Sequence, residues 1–293
     1  MSAKKPTVAL IYDFDGTLSP GNMQEFGFIK ALGQNSKDFW KKNATLSVEN
    51  DASPVLCYMN LMIMEAKAKG ISLKRDSFKQ FGKDVELFKG VKEWFGIINR
   101  YGKENDLEIK HYINSSGMKE MIEGTEIAKE FEAIYACSFI YNVDGIAYWP
   151  SIAVDYTTKT QFLFKINKGI KSVSDNIAIN EYVPDDERPV PFKQMIYFGD
   201  GETDIPSMKL VKEHGGNSIA VYKPRDGNKK IIAEKLISEN RVNFVCPADY
   251  SEDKEIYKVV TTIIDKIKSD YDFENLQKLH KANADKSKSK NNK

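Results

Sequence analysis

Cysteine is scarce in this sequence, and the few residues present do not group. Cys57, Cys137 and Cys246 are odd in number, far apart and free of any CxxC spacing. That excludes a disulfide framework or a cysteine zinc site and fits a reducing compartment, so a cytoplasmic location is expected. Long apolar runs are also missing. No stretch approaches the roughly 18 apolar residues of a membrane span. The run from Val8 to Tyr12, behind a basic N-terminus, is too short for a secretory h-region and ends in Asp13. Neither a membrane nor an export signal is therefore expected. Charge of one sign is not in excess: 43 Lys and Arg face 42 Asp and Glu, for a formal net charge of +1. Such a balance lacks the basic field of a nucleic-acid-binding surface. His111, His214 and His280 show no metal-ligand spacing and read as structural. There is no P-loop, and Ser115 is not embedded in G-x-S-x-G, so neither a nucleotide cradle nor a hydrolase nucleophile elbow is supported.

What is present is an alternation of strand and helix patterns. With 293 residues, 41% of them hydrophobic, the chain can build a large domain or a domain with an insert. "TVALIY" (7–12) is apolar and β-branched without alternation, the pattern of a strand buried on both faces in a parallel sheet. Residues 22–88 carry helical periodicity and Gly stops with no strand signal, which predicts an all-helical insert of about three to four helices. Beyond it, "VKEWFGIINRYGKEN" reads as a helix, "LEIKHYINSSG" as a strand and "MKEMIEGTEIAKEFEAIYA" as a helix. "SFIYNVDGIAYWP" reads as a hairpin turning at Asp144-Gly145. "TTKTQFLFKINKG" predicts a helix capped at Thr157 or Thr158 and stopped at Gly169. Residues 180–193 carry three prolines and predict an irregular loop. "QMIYFGDGETD" is a second buried strand, "NSIAVY" and "VNFVCPADY" are two more, and "EIYKVVTTIIDKIKSDY" is a helix. The polar, Lys-rich tail 281–293 is expected to be disordered. The sum is an α/β fold: a mainly parallel, Rossmann-like sheet flanked by helices, with a small helical cap after the first strand. The expected division is a core of residues 1–20 and 89–275 and a cap of residues 21–88.

In such sheets ligands bind beyond the carboxyl ends of the strands. Asp13, Ser115 and Asp200 each stand at the end of a predicted strand. Asp13 and Asp15, two apart in "DFDGT", repel one another unless a cation or a shared proton makes the arrangement useful. A carboxylate can attack phosphorus, but it repels an anionic phosphate ester until a divalent cation bridges the two. Mg²⁺ suits that task, because it prefers oxygen ligands and keeps waters. Asp200 supplies a carboxylate from a second strand, and Asp15 can offer its backbone carbonyl while its side chain moves a proton. At "INSSG", hydroxyls and backbone N–H groups of Ser115, Ser116 and Gly117, the last two opening a helix, can hold phosphate oxygens.

These motifs, "DFDGT" at 13–17, "INSSG" at 113–117 and "GDGETD" at 199–204, resemble the haloacid dehalogenase superfamily of phosphohydrolases over roughly residues 7–225. The helical insert resembles the branch that contains phosphoserine phosphatase. The resemblance implies Asp13 as nucleophile, Asp15 as acid and base, and Mg²⁺ held by Asp13, Asp15 and Asp200. Asp204 would lie in the metal shell or orient a lysine, and Thr17 would join the phosphate-binding groups. That lysine opens a helix upstream of the last motif. Lys159 fits and is preferred; Lys168, at the end of the same helix, is the rival, and both lie farther ahead of Asp200 than the family pattern. The implied function is a Mg-dependent phosphomonoester hydrolase working through an aspartyl-phosphate on a small phosphorylated metabolite. Phosphoserine is disfavoured, because the glutamate expected nine residues after the nucleophile is Asn22. Arg75 offers only an unsupported carboxylate clamp, and the insert's aromatics, among them Trp40 and Tyr58, read mostly as core. The alternatives are a phosphotransferase using the same intermediate and a non-catalytic binding protein. A dinucleotide site at "GDGETD" is rejected, since Asp204 stands where a glycine is needed.

Overall fold

The computed structural model describes residues 5–291, with side chains to residue 286. One seven-stranded sheet of order β4-β3-β2-β1-β5-β6-β7 organises the molecule. Its strands are β1 (Thr7–Tyr12), β2 (Glu108–Met118), β3 (Phe131–Tyr141), β4 (Ala147–Ile152), β5 (Met195–Gly199), β6 (Asn217–Tyr222) and β7 (Phe244–Pro247). All neighbours run parallel except β3 and β4, which form the antiparallel hairpin predicted around Asp144-Gly145. Every residue of β1 and β5 is buried, as their unbroken apolar runs require in a sheet covered on both faces.

Strand order reverses at β1, which has β2 on one side and β5 on the other. The register sets Tyr12 beside Phe198, and the ladder continues one residue further, where Asp13 N–H donates to the Phe198 carbonyl at 2.9 Å. Asp13 and Asp200 thus leave adjacent strands at the switch point, where a crevice forms in open α/β sheets.

The insert holds five helices: α1 (Met23–Phe26), α2 (Phe28–Ala31), α3 (Ser36–Glu49), α4 (Pro54–Lys69) and α5 (Arg75–Gly82). The expected three to four become five because one predicted helix breaks at Gly27. A β-carbon there would sit 3.0 Å from the Phe81 carbonyl, so α5 packs tightly against this glycine. Ser53 caps α4, and Gly70, at φ 66°, ends it as an expected Gly stop. The insert is fastened to the β3–β4 hairpin, where Ala147 N–H donates to Leu73 O at 2.9 Å.

The remaining helices are α6 (Val91–Glu104), α7 (Lys119–Gly124), α8 (Thr158–Asn167), α9 (Ile205–Glu213), α10 (Gly227–Ser238) and α11 (Glu255–Asn291). Three expectations need correcting. The helix expected through Ala136 ends at Gly124, and the segment from Phe131 onward is strand β3. Its aromatic and β-branched residues pair with β2, and that pairing outweighs a helical spacing created by the flanking glutamates. Ser116 and Gly117 do not open a helix. They belong to β2, which bulges between Ser115 and Met118 before α7 begins. The tail expected to be disordered is helical to Asn291, with residues 292–293 outside the described residues. Residues 281–286 are all exposed, so their helicity rests on the propensity of Lys and Ala rather than on burial. None of the described helices is long and apolar enough to cross a membrane.

Candidate active site

The turn after β1 is shaped around Asp13 and Asp15. Asp13 is buried; its Oδ1 accepts from the Phe14 N–H at 2.7 Å and lies 3.2 Å from Lys159 Nζ. Gly16 follows at φ 77°, a left-handed conformation that favours glycine. A β-carbon there would lie 2.2 Å from Asp200, so glycine is also what lets the two acidic turns touch. Asp15, partly buried, accepts from the Met23 N–H at 2.9 Å through Oδ1 and so holds the start of α1.

The turn after β5 brings Asp200 and Asp204. One carboxylate oxygen each from Asp13, Asp200 and Asp204 falls within 4.8 Å of the others. Asp204 is fully buried, and its Oδ1 is engaged by Lys159 Nζ at 2.7 Å and by the Tyr197 hydroxyl at 2.8 Å. Lys159, also fully buried, therefore bridges Asp13 and Asp204 from the first turn of α8. The helix is held in place by Asn114, whose side chain donates to the Lys159 carbonyl at 3.0 Å. Lys168 instead donates to the carbonyls of Ile179 and Glu181, pinning the Pro-rich loop.

Ser115, Ser116 and Gly117 line one cavity of about 240 Å³ together with Asp13, Asp15 and Asp200. Gly117 N–H donates to Ser115 Oγ at 3.1 Å, and Ser116 Oγ has no partner among the described residues. Thr17 lies apart from them. It is buried under the turn with its carbonyl bonded to the Tyr250 hydroxyl at 2.8 Å, outside the cavity lining.

No protein-family model matches the chain. An uncharacterized protein of Borreliella burgdorferi is 31% identical over 290 residues, spanning 88% of this chain and 96% of that protein, and the two belong to one family. Among solved structures, a substrate-bound phosphoserine phosphatase complex superposes with a TM-score of 0.52 at 13% identity, covering 88% of this chain and 99% of that one. Phosphoserine phosphatase in its apo form gives 0.52 at 14% identity, over 87% and 98%. A HAD family hydrolase of Salmonella enterica serovar Typhi gives 0.52 at 16% identity over 75% of this chain, which spans 65% of that protein, less than two thirds. The chain has the haloacid dehalogenase fold. Its arrangement is similar to that of the solved phosphoserine phosphatases.

Within this haloacid dehalogenase fold the electrostatics of the crevice are uneven. Burial, and then the charge of Asp13, raise the Asp15 carboxyl well above the ordinary carboxylate range. Burial and Asp13 likewise push Asp200 up to about 6, against the pull of Lys229, whose Nζ lies 3.4 Å away. Asp204 is pushed up to about 7 by burial and Asp13, with Lys159 opposing. Burial alone would lower Lys159, but Asp13 and Asp204 together hold it above the ordinary lysine range and therefore charged. Four carboxyl groups, Asp13, Asp15, Asp200 and Asp204, face two lysines, the buried Lys159 and the half-exposed Lys229, and are short of positive charge. The donor set is all oxygen, so the residues fit a hard divalent cation.

The helical insert lines the cavity with Gln24, Asn43, Trp40 and Tyr58, of which the last two were read from the sequence mostly as core; outside this lining, Lys229 reaches Asp200 from α10. Trp40 and Tyr58 carry the same helical spacing as true core aromatics such as Phe39, so periodicity alone does not separate them. The Tyr58 hydroxyl, which donates to the Ser116 carbonyl at 2.6 Å, ties the insert to the predicted phosphate motif.

Proposed function

We propose that this chain is a Mg-dependent phosphomonoester hydrolase that forms a phosphoenzyme on Asp13, with the helical insert, residues 21–88, as its cap. The observation that carries the reading is the chain of contacts at one sheet edge: Asp13 anchored by Lys159, Lys159 fixed by Asp204, and Asp15 beside them with a raised proton affinity.

In the first step a carboxylate oxygen of Asp13 attacks phosphorus. The new O–P bond forms as the ester O–P bond breaks, and Asp15 gives its proton to the leaving oxygen. A carboxyl whose pKa is raised by burial is suited to hold that proton near neutral pH. In the second step water attacks the aspartyl phosphate, Asp15 takes the water's proton, and inorganic phosphate leaves with Asp13 restored. Ser115, Ser116 and Gly117 offer hydroxyl and N–H donors to the phosphoryl oxygens, and Lys159 balances the charge they carry. Asp13, Asp200 and the Asp15 carbonyl would hold Mg²⁺, which when bound offsets the repulsion between carboxylates and phosphate. Asp204 orients Lys159 from behind.

The cation claim has a direct check. Hydrolysis of p-nitrophenyl phosphate should vanish in excess chelator and return with Mg²⁺. Ca²⁺, with its looser and higher coordination, should restore little of it. Full turnover in chelator, with metal removal verified by elemental analysis, contradicts the proposal.

A further inference from the structure

Strand β2 leaves its ladder at the phosphate motif. Its register with β3 shifts between Ser115 and Met118, so strand pairing does not fix the Ser116–Gly117 peptide unit. The Ser116 carbonyl is taken up from elsewhere. The Tyr58 hydroxyl donates to it at 2.6 Å from α4 of the insert, and Cys137 Sγ donates to it at 3.4 Å from β3. Tyr58 is 4% exposed, and burial raises its hydroxyl well above the ordinary tyrosine range, so it stays protonated and donating.

The peptide plane transmits that hold. In a trans peptide the C=O and the N–H point to opposite sides, so a Ser116 carbonyl turned to Tyr58 turns the Gly117 N–H away from it. That N–H donates to Ser115 Oγ at 3.1 Å. With its oxygen accepting there, Ser115 keeps its own O–H proton to donate, and Ser115, Ser116 and Gly117 all line the cavity that holds Asp13. The peptide also stands close to the proton carrier: a β-carbon on Gly117 would lie 3.1 Å from Asp15 Oδ2. The carboxylates of Asp13, Asp15 and Asp200 in the same lining repel a phosphate, so fixed uncharged donors aimed into the cavity matter to its capture.

We propose that Tyr58 is a positioning residue for the phosphate: from the insert it fixes the Ser116–Gly117 peptide and thereby aims the Gly117 N–H and the Ser115 hydroxyl. The proposal rests on the hydrolase reading for where the phosphate sits, and its test separates the two. Ser116-Gly117 is the one Ser-Gly pair in the sequence, so labelling the full chain with carbonyl-¹³C serine and ¹⁵N glycine isolates the Gly117 amide by NMR. Tyr58→Phe keeps the ring and removes the hydroxyl. Without ligand, this change should shift the Gly117 amide resonance and leave glycine amides outside the site in place. With Mg²⁺ present, inorganic phosphate titrated calorimetrically should bind Tyr58→Phe roughly tenfold more weakly, the scale of one hydrogen bond. Mg²⁺ alone should bind both proteins within twofold, because Tyr58 contacts none of its carboxylates. A Gly117 resonance unmoved by Tyr58→Phe overturns the proposal. So does equal phosphate affinity, or a parallel loss of Mg²⁺ affinity, the mark of a merely structural role. If phosphate leaves the Gly117 resonance of the unaltered chain in place, the phosphate site of the hydrolase reading fails, and the hold of Tyr58 on the peptide is decided by the ligand-free shift alone.

Discussion

Lys159 occupies a position that few lysines tolerate: no part of it is exposed, and its charge is held between Asp13 and Asp204. Burying an ammonium is costly unless it is paired and hydrogen-bonded, so both carboxylates are part of the reason the residue can be there. If it neutralises charge on the transferring phosphoryl group, Lys159→Ala should lower kcat at least about a hundredfold, the scale for removing an electrostatic stabiliser. Lys168→Ala should leave kcat within a few-fold, because Lys168 serves the loop carbonyls of Ile179 and Glu181. Steady-state kinetics of both variants decide it, and the reverse ranking contradicts the assignment. The pairing of Lys159 with Asp13 was only partly legible in the sequence. Position at a helix start favoured Lys159 over Lys168, but the distance along the chain to Asp200 is lengthened by a loop whose path no local pattern encodes. Thr17, given a phosphate-binding part by motif, is buried with its carbonyl accepting from the Tyr250 hydroxyl and its own hydroxyl unpaired among the described residues.

Strand β2 carries a buried polar chain under the site. Trp94 Nε1 donates to the Tyr12 hydroxyl at 2.9 Å, Tyr12 lies 3.0 Å from His111 Nδ1, and His111 Nε2 lies 3.0 Å from Asn99 Oδ1. With Trp94 donating to it, the Tyr12 hydroxyl is free to donate to Nδ1, which leaves Nε2–H to donate to Asn99 and makes the ring neutral. Burial lowers His111 to about 3. The unfolded chain therefore takes up this proton near pH 6.5 while the folded chain does not until about pH 3. Stability is lost as pH falls through that window, by roughly 1.4 kcal/mol per pH unit for one proton. Urea unfolding from pH 7 to pH 4 should show a shallower decline for His111→Asn than for the unaltered protein; equal slopes contradict the account. The elements themselves were unequally readable. β1 and β5 announce themselves by unbroken apolar runs ending in acid, whereas β3 hides because Glu120, Glu123, Glu126 and Glu130, three and four apart, give its flank a helical spacing. The break at Gly27 depends on contact with α5, which is distant in the sequence.

For the whole molecule, the sheet's switch point explains why residues from three distant segments meet. Parallel β1, β2 and β5 deliver Asp13, Ser115 and Asp200 to one edge, and α8 brings Lys159 across them. That convergence was legible, since it follows from strand ends in a parallel sheet. The insert's side of the cavity was not, because the side chains that line a cavity and those that fill a core share one period. The account turns on the different parts given to two neighbouring carboxylates. Asp13→Asn removes the group that bonds to phosphorus, whereas Asp15→Asn leaves it and removes the proton carrier. With p-nitrophenyl phosphate, whose leaving group needs little protonation, Asp13 should still be phosphorylated in the Asp15→Asn enzyme. Hydrolysis should then become limiting, slowed by about a hundred- to ten-thousandfold. Rapid-quench turnover with Mg²⁺ should therefore give a burst of p-nitrophenolate from Asp15→Asn and none from Asp13→Asn, with mass spectrometry placing the trapped phosphate on Asp13. A burst from Asp13→Asn, or phosphate on Ser115, contradicts the account.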